Sequence, residues 1–330
     1  MMGKKVTIKD VAKASGVSIA TVSQILNGNT KNFNIKTIEK VQRIKEEMNY
    51  EADYFARRMV VKESKTIGVM VPDITNPFFS TFVRGVEDVL YQQNFIPMFY
   101  NVDRDDEKES DALEELSRRG VDGFIIASSA ISNEEIDRVL RNKKHPFIIL
   151  DQKNFDEMSD TIGTDDFLGG QLAGKHFTEL EHQEVSVVVP KRMTLNIENR
   201  LKGFKTTFNG QINVISTTLS KEGGKEAVAH ILKTESTGIF ALNDEMAFGL
   251  YYGLKKANKK IPEDYSIIGY DNVEMAEYVT PELTTIGQPI FELGQETAHM
   301  LLSRIDMPDQ EWQHKKLPVT LIKRFSTTHA

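Results

Sequence analysis

The chain of 330 residues contains no cysteine, and this absence excludes disulfide bonds, thiolate nucleophiles and cysteine-ligated metal sites. No stretch approaches the ~20 consecutive apolar residues that a membrane-spanning helix needs. The first residues, Met1 to Lys5, lead into no apolar run, so the sequence has no pattern typical of a signal peptide. Together these absences predict a soluble protein of the cytoplasm.

The common enzymatic signatures are missing as well. The sequence has no Gly-x-Gly-x-x-Gly, Gly-x-x-x-x-Gly-Lys-Ser/Thr, Gly-x-Ser-x-Gly or His-Glu-x-x-His motif. Two Glu-x-x-His pairs, Glu179/His182 and Glu296/His299, have a spacing that serves di-metal sites in helix bundles. The chain has no bundle pattern, so we expect both pairs to be coincidental neighbours on exposed helix faces. The sequence predicts no catalytic residue, no cofactor and no metal ion.

The net charge of −7 is divided unevenly along the chain. Residues 1–62 hold 12 Lys and Arg against 6 Asp and Glu, a net +6, whereas the remaining residues hold 29 against 42, a net −13. Phosphate contacts supply the sequence-independent part of DNA binding, and an acidic body does not oppose them if it is held away from the duplex. The charge division favours the N-terminal end as the part that contacts nucleic acid.

The stretch from Thr7 to Asn27 predicts two short helices joined by a tight turn. Thr7 is placed to cap the first helix, with Asp10 in the position of a capping box. Gly16 readily adopts the left-handed conformation that ends a helix, and Ser18 is placed to cap the next one. The apolar faces of the two helices consist of Ile8, Val11, Ala12, Val22, Ile25 and Leu26.

This pattern is typical of a helix-turn-helix, whose second helix enters the major groove and reads base edges. A helical hairpin that merely packs is the alternative. The outward side of the second helix is small and polar enough to lie against a duplex. The residues of this unit predicted to contact DNA are Thr7, Ser18, Ile19, Ala20, Thr21, Ser23, Gln24 and Asn27.

A third helix follows, which Asn34 is placed to cap. Its apolar residues recur at helical spacing and are expected to close a three-helix core: Ile35, Ile38, Val41, Ile44 and Met48. A short amphipathic segment, Asp53 to Val60, then separates this unit from the rest of the chain. We predict a headpiece at residues 1–50, a connecting segment at 51–65 and a larger domain at 66–330.

From Thr66 onward, short apolar runs alternate with amphipathic stretches in two successive series. The runs predicted as strands are Ile67–Val71, Ile96–Tyr100, Gly123–Ala127 and Phe147–Leu150, then Val185–Val189, Val214–Ser216, Gly238–Leu242 and Ser266–Gly269. The predicted helices are Pro77–Gln93, Asp106–Arg119 and Asn133–Arg141, then Phe167–Glu179, Ile197–Asn209, Gly223–Leu232 and Glu245–Lys256. Such alternation indicates parallel sheets with helices on both faces and ligands at the carboxyl ends of strands.

The predicted fold is therefore an all-α helix-turn-helix headpiece followed by an α/β domain of two doubly wound lobes. A closing region, with Pro289–Ile305 as a helix and Leu317–Lys323 as a strand, has no partner in either series. We expect the chain to cross between the lobes more than once.

Three segments of the headpiece carry a resemblance to a known family: Val6-Thr-Ile-Lys-Asp-Val-Ala, Gly16-Val-Ser-Ile-Ala-Thr-Val-Ser and Leu26-Asn-Gly. They resemble the headpiece of the lactose/galactose-repressor family of bacterial transcription regulators. The resemblance implies a homodimeric repressor that binds a palindromic operator in double-stranded DNA. It also implies a hinge helix at Asp53–Val60 that inserts Met59 into the minor groove and kinks the duplex. A linker packed on the body is the alternative reading of that segment.

The body from Thr66 to Arg324 resembles the ribose-binding, periplasmic-type effector domain of the same family. The matching segments are Pro72-Asp-Ile-Thr-Asn-Pro-Phe-Phe, Leu150-Asp, Gly163-Thr-Asp, Asn199-Arg-Leu-Lys-Gly-Phe, Asn243-Asp-Glu-Met-Ala, Ile268-Gly-Tyr-Asp-Asn and Thr284-Thr-Ile-Gly-Gln-Pro. The resemblance implies that sugar hydroxyls bind Asn76, Asp151, Arg200, Asn243, Asp271 and Gln288, and that Phe78 and Phe79 stack on the pyranose face. Carboxylates, amides and the planar Arg fork suit vicinal hydroxyls.

Two positions depart from relatives with known effector classes, and two nearby cations bear on the ligand as well. Thr194 stands where purine-responsive members carry Arg, which disfavours a purine corepressor. Gln152 stands where pentose binders often carry Arg, which weakens the assignment to ribose. Lys191 and Arg192 could meet a phosphate, which keeps sugar phosphates open.

Three departures concern DNA. Gln24 occupies a position that is usually Arg, and Gln suits adenine whereas Arg favours guanine. We expect a shifted base preference at the corresponding operator position. Met59 replaces a usual Leu in the hinge helix, and Ala52, just before that helix, replaces a common Pro.

The sequence favours a repressor of a sugar operon that ribose releases from its operator. Another pentose, a sugar phosphate or a purine corepressor remains open as the effector. A transport component would lack the headpiece. A glycosidic enzyme would need paired carboxylates, for which Asp151 and Asp271 are the candidates.

Overall fold

The computed structural model describes residues 6–50, 64–127, 131–150 and 159–330. The chain divides after Ser64 into two units, which are described separately. The predicted hinge segment with Met59, together with Asp151 and Gln152, lies outside the described residues.

The N-terminal unit contains three helices, α1 Ile8–Ser15, α2 Ile19–Leu26 and α3 Ile35–Glu47. The predicted caps are present. The backbone N–H of Thr7 donates to Asp10 Oδ2 at 2.9 Å, and Gly16 ends α1 with a φ of +70°. Ser18 Oγ accepts from the backbone N–H three residues later at 3.0 Å, and Asn34 caps α3 through its Oδ1. The predicted helix caps and the turn between α1 and α2 are therefore confirmed.

The core of this unit packs the inward faces of all three helices. Its buried members are Val11, Ala12, Val22, Ile25, Val41, Ile44 and Tyr50. One predicted member is wrong: the side chain of Ile35 is 70% exposed. Side chains of a helix lean toward its N-terminus, so Ile35, the first residue of α3, points past the end of the helix and away from the core.

The C-terminal unit is built on two six-stranded sheets. The first contains β1 Thr66–Val71, β2 Ile96–Asn101, β3 Gly123–Ile126, β4 Phe147–Leu150, β5 Asp160–Thr164 and β11 His314–Leu317, in the order β11-β5-β4-β3-β1-β2. The second contains β6 Glu184–Pro190, β7 Gln211–Thr217, β8 Gly238–Ala241, β9 Ser266–Asp271, β10 Thr284–Gly287 and β12 Thr320–Ile322, in the order β12-β10-β9-β8-β6-β7. All neighbouring strands are parallel except β12, which runs antiparallel to β10.

Helices accompany both sheets. With the first sheet lie α4 Pro77–Gln92, α5 Asp106–Arg119, α6 Asn133–Ile136, which continues as a π-helical turn at Asp137–Arg141, and α11 Ile290–Asp306. With the second lie α7 Asp166–Glu179, α8 Leu195–Thr207, α9 Lys221–Ile231, α10 Asp244–Lys256 and a 3₁₀ turn at Glu274–Glu277. The helices pack mainly in pairs, α4 with α11, α7 with α8, and α9 with α10. The predicted fold class is confirmed.

The chain crosses between the lobes three times, after β5, after β10 and after β11. The prediction of a single strand at Leu317–Lys323 is wrong, since β11 and β12 belong to different sheets. Pro318 separates them because it has no backbone N–H to continue a ladder. Within the described residues, no helix is both long and apolar enough to span a bilayer.

Candidate functional site

A cavity of about 320 Å³ lies within the C-terminal unit and has walls from both lobes. Seven of the eight predicted effector residues line it: Asn76, Phe78, Phe79, Arg200, Asn243, Asp271 and Gln288. The topology explains this convergence, because several of these residues lie at or just beyond carboxyl ends of parallel strands. Asp271 ends β9, and Gln288 directly follows β10. The eighth predicted residue, Asp151, lies outside the described residues.

Arg200 is the central cation of the cavity, and only 4% of it is exposed. Its Nε donates to Asp166 Oδ1 at 2.7 Å, and its Nη1 donates to the carbonyl oxygen of Leu242 at 2.6 Å. The guanidinium carbon lies 3.7 Å from the ring centroid of Tyr270. Burial alone would lower the pKa of Arg200, but the neighbouring acidic groups raise it above its usual value. The guanidinium is therefore a permanent, fixed donor in the cavity wall.

Asp271 is the acidic counterpart of Arg200. Its Oδ1 lies 3.7 Å from Arg200 Nη1 and accepts a 2.6 Å hydrogen bond from Gln288 Nε2. Thr164 Oγ1 in turn donates to Gln288 Oε1 at 2.6 Å, which fixes the orientation of the Gln288 amide. Burial raises the pKa of Asp271 well above its usual range, although Arg200 acts in the opposite direction. These contacts form one polar network across the cavity wall.

Two asparagines serve both as helix caps and as cavity residues. Asn76 Oδ1 accepts from the N–H of Phe78 at 3.0 Å, and Asn243 Oδ1 accepts from the N–H of Met246 at 2.9 Å. The capping reading of such residues and the ligand-binding reading are therefore compatible. With the carbonyl oxygen used by the helix, the amide NH₂ is the group suited to a ligand oxygen.

Two aromatic rings form the apolar part of the wall. Phe79 is buried and Phe78 is half-buried. Their ring centroids lie 5.0 Å apart in an edge-to-face arrangement. A ligand with both hydroxyl groups and an apolar C–H face fits this combination of rings and polar groups.

Sequence reasoning missed Asp166 and Thr164 as cavity residues. Asp166 begins α7 and directly follows the Gly163-Thr-Asp segment. That segment carries the family resemblance, but the resemblance implied no role for Asp166. Thr164 ends β5, a strand that the apolar runs did not reveal. Burial raises the pKa of Asp166, and the Arg200 charge opposes that rise.

The mouth of the cavity carries exposed charges. Arg104, Lys191 and Arg192 line it. Arg192 Nη1 lies 3.1 Å from Asp106 Oδ1, so this ion pair joins the second lobe to the first. Arg192, which the sequence suggested as a phosphate ligand, thus has an acidic partner.

One of the two Glu-x-x-His pairs is not placed as expected, whereas His299 of the other pair is exposed on α11. His182 is buried, and it bonds Thr237 Oγ1 at 2.7 Å. The expectation of exposed helix faces is therefore wrong for this residue, which lies beyond the end of α7. Among the described residues, no group of three potential ligand side chains is arranged to hold a metal ion.

In the N-terminal unit, seven of the eight predicted DNA contacts belong to α2 or to its caps, and the eighth, Thr7, caps α1. The buried residues of α2 are Val22 and Ile25, neither of which is a predicted contact. Gln24 and Asn27 are exposed, and Ile19 is 44% exposed. Ser18 is an exception among the predicted base readers, since its Oγ is already engaged with Thr21. The surface offers short side chains and one long amide to a groove.

Comparison with known proteins assigns both units. Residues 7–53 match the model of bacterial regulatory proteins of the lacI family. Residues 64–325 match the model of periplasmic binding proteins and the sugar binding domain of the LacI family.

Two curated relatives span almost the whole chain. The HTH-type transcriptional repressor PurR of Vibrio atlanticus is 33% identical over 96% of this chain and 97% of its own length. The ribose operon repressor of Escherichia coli K12 is 31% identical over 97% of this chain and 99% of its own length.

Two solved structures share the fold. A LacI family transcriptional regulator from Enterococcus faecalis V583 with bound ribose is 59% identical, covers 80% of this chain and 99% of its own, and has a TM-score of 0.78. The lac repressor dimer bound to operator and an anti-inducer is 25% identical, covers 98% of this chain and 100% of its own, and has a TM-score of 0.86. The chain belongs to the LacI family of bacterial transcription regulators.

Proposed function

We propose that this protein is a homodimeric repressor that binds a palindromic operator and is released from it when D-ribose occupies the cavity. The observation that carries this proposal is the convergence of Asn76, Arg200, Asn243, Asp271 and Gln288 around one cavity. Their donors and acceptors suit the hydroxyls of a pentose, and Phe78 and Phe79 suit its C–H face.

Ribose is favoured over a purine by two considerations. The relatives named PurR and ribose operon repressor are about equally similar to this chain, at 33% and 31% identity. Sequence identity to these two relatives therefore does not decide between a purine and ribose. The regulator with bound ribose is 59% identical. In addition, Thr194 lines the cavity where an additional Arg would be expected for a purine.

A neutral sugar is favoured over a sugar phosphate. Arg192 is paired with Asp106 at the mouth, and the fixed groups deeper in the cavity include Asp166 and Asp271. Two buried carboxylates disfavour a dianionic phosphate close to them. A sugar phosphate remains the second candidate because Lys191 and Arg104 also line the mouth.

The N-terminal unit and the C-terminal unit have different proposed roles. Residues 1–50 would read the operator, with Met59 of the 51–65 segment as the minor-groove wedge, and residues 66–330 would bind effector and form the dimer. The ligand changes DNA affinity only if it binds one state of the repressor more tightly than the other, and operator binding must then change ribose affinity by the same factor. Such a protein acts in the cytoplasm and catalyses no reaction.

Calorimetric titration of the purified protein tests the effector. D-Ribose is expected to bind, whereas ribose 5-phosphate, D-xylose, L-arabinose and hypoxanthine bind at least tenfold more weakly, on the scale that one or two unpaired buried polar groups produce. An Asp271→Asn variant should lose most of the ribose affinity. Tighter binding of hypoxanthine or of the phosphate ester than of ribose would overturn the assignment.

A further inference from the structure

The turn that follows β9 has an unusual backbone. Asp271 has a φ of +122° and Asn272 a φ of +59°. L-residues other than glycine rarely adopt positive φ, and an aspartate at +122° is strained. The same Asp271 carries the carboxylate of the cavity wall. Such a conformation persists only if surrounding contacts hold it.

Asp244, which does not line the cavity, makes those contacts. It is fully buried at the start of α10. Its Oδ2 accepts from the backbone N–H of Val273 at 2.9 Å, and its Oδ1 accepts from Thr285 Oγ1 at 2.7 Å. Both oxygen atoms are therefore engaged with the β9–β10 region.

The carboxylate of Asp244 is not needed as the cap of its own helix. That role belongs to Asn243, whose Oδ1 accepts from Met246 N. A simple reading of Asp244 as a helix-terminal acid does not explain why both of its oxygen atoms point to the neighbouring segment.

The sequence of β9 accommodates this carboxylate. A Cβ atom at position 269 would lie 2.2 Å from Asp244 Oδ1, so only glycine leaves room for the oxygen there. Asn272 is fixed from another side, since Arg324 Nη2 donates to its Oδ1 at 2.8 Å. The strained turn is thus held at two successive residues, Asn272 and Val273.

We propose that Asp244 is a positioning residue of the effector site, which holds the Asp271–Val273 turn so that the Asp271 carboxylate reaches Gln288, Arg200 and the ligand. The identity of the ligand rests on the proposed function, whereas the role of Asp244 rests on the turn. Losing the contact leaves the N–H of Val273 without its acceptor and lets the backbone of Asp271 relax.

Three variants of the full chain test this role by calorimetry with D-ribose. Asp244→Ala should weaken binding by roughly tenfold or more, because buried donors lose their acceptor and Asp271 moves. Asp244→Asn should bind within about threefold of the wild type, since its Oδ1 can accept from Val273 and its NH₂ can donate to the Thr285 oxygen. Thr285→Val, which removes one hydrogen bond without opening a cavity, should give an intermediate loss.

The matched control is Asp160→Asn. Asp160 is a buried carboxylate that pairs with Arg304 at 2.7 Å, and it lies at the opposite end of β5 from the cavity residue Thr164. This variant should lower thermal stability and leave ribose affinity unchanged. A loss of affinity in Asp160→Asn equal to that in Asp244→Ala would overturn the proposal, because stability alone would then explain both.

A crystal structure of ligand-free Asp244→Ala gives a readout that does not depend on ribose. The proposal predicts a rebuilt turn, a negative φ at Asp271 and a broken Gln288–Asp271 hydrogen bond. If Asp244→Ala does not fold, the same comparison is made on Thr285→Val. Failure of the wild type to bind ribose would contradict the proposed function only, whereas an unchanged Asp271 turn would contradict the role of Asp244.

Discussion

Arg200 shows how one side chain joins several segments of the cavity wall. Its fork joins Asp166, the carbonyl oxygen of Leu242 and the face of Tyr270, so the ion-pair interpretation is correct, and the same side chain lines the cavity where we propose that the effector binds. Sequence reasoning proposed Arg200 from the resemblance but had no means to find Asp166, because the ion pair joins residues 34 positions apart.

Replacement of Arg200 by Lys tests the need for the planar fork. Lysine keeps the charge but cannot make the same directed bonds or stack on the Tyr270 ring. We expect Arg200→Lys to lower ribose affinity by roughly tenfold or more and to lower the melting temperature by several degrees. Lys202→Gln, an exposed change on the same helix, is the control for both measurements. Wild-type ribose affinity in Arg200→Lys would contradict the role given to the fork.

Burial of Asp244 makes stability depend on pH in a defined direction. Desolvation raises the pKa of Asp244 to about 7, against the hydrogen bonds from Thr285 and Val273. Since the folded state binds the proton more tightly than the unfolded state, this group contributes stability below its unfolded pKa of ~3.9, and the contribution is lost as the pH rises toward about 7.

Melting temperatures of wild type and Asp244→Asn at pH 5 and pH 8 measure this effect. Asn carries no titratable proton, so the wild type should lose more stability than the variant between the two pH values. The expected difference is a few degrees in melting temperature. Equal losses in the two proteins would mean that Asp244 titrates normally.

At the scale of elements, α2 is the helix of the headpiece that we predict to set the sequence preference for DNA. Gln24 is exposed on this helix, and an amide suits adenine N6 and N7 whereas a guanidinium suits guanine O6 and N7. We expect Gln24→Arg to change the preferred base at one position of each half-site. Selection of binding sites from random DNA measures the preference.

Gln42→Arg is the matched control for that experiment. Gln42 is exposed on α3, and its replacement adds the same charge away from the reading helix. It should strengthen binding to all DNA sequences similarly, by added phosphate attraction. Recovery of an identical operator by wild type and Gln24→Arg would show that Gln24 does not read a base.

The elements also show what could be predicted from the sequence. Helices with clear caps and periodic faces, such as α1, α2 and α5, were found because their signals are local. The strands β5 and β10 were missed because Asp160–Thr164 and Thr284–Gly287 contain no apolar run. These strands form because they pair with strands that are distant in the sequence, and a local pattern of residues holds no information about such pairing.

Part of the cavity was predictable because some of its residues follow strands with clear local signals. Residues such as Asn76 and Asp271 follow recognisable apolar strands, so their convergence followed from the rule for parallel sheets. Thr164 belongs to a strand that the runs did not reveal, and Asp244 acts through the backbone of another segment. Contacts of this kind depend on tertiary packing and have no sequence period.

At the scale of the molecule, the α/β unit is suited to a change of lobe arrangement. The chain crosses between the lobes three times, and the Thr164–Gln288 hydrogen bond joins the end of β5 in the first lobe to the residue after β10. The cavity has walls from both lobes. A ligand that bridges those walls favours one lobe arrangement over others, which is the requirement for control of DNA binding.

Control of operator binding by ribose is tested by the operator affinity of the full protein, measured by fluorescence anisotropy with and without saturating D-ribose. The DNA is the region upstream of its own gene and of neighbouring sugar genes. We predict nanomolar binding on the usual scale of specific repressors, weakened by at least tenfold with ribose. Arg200→Lys should bind the operator normally but respond only to much higher ribose concentrations. Operator binding that ribose leaves unchanged, at concentrations that fill the cavity, would contradict the proposal that ribose releases this repressor from its operator.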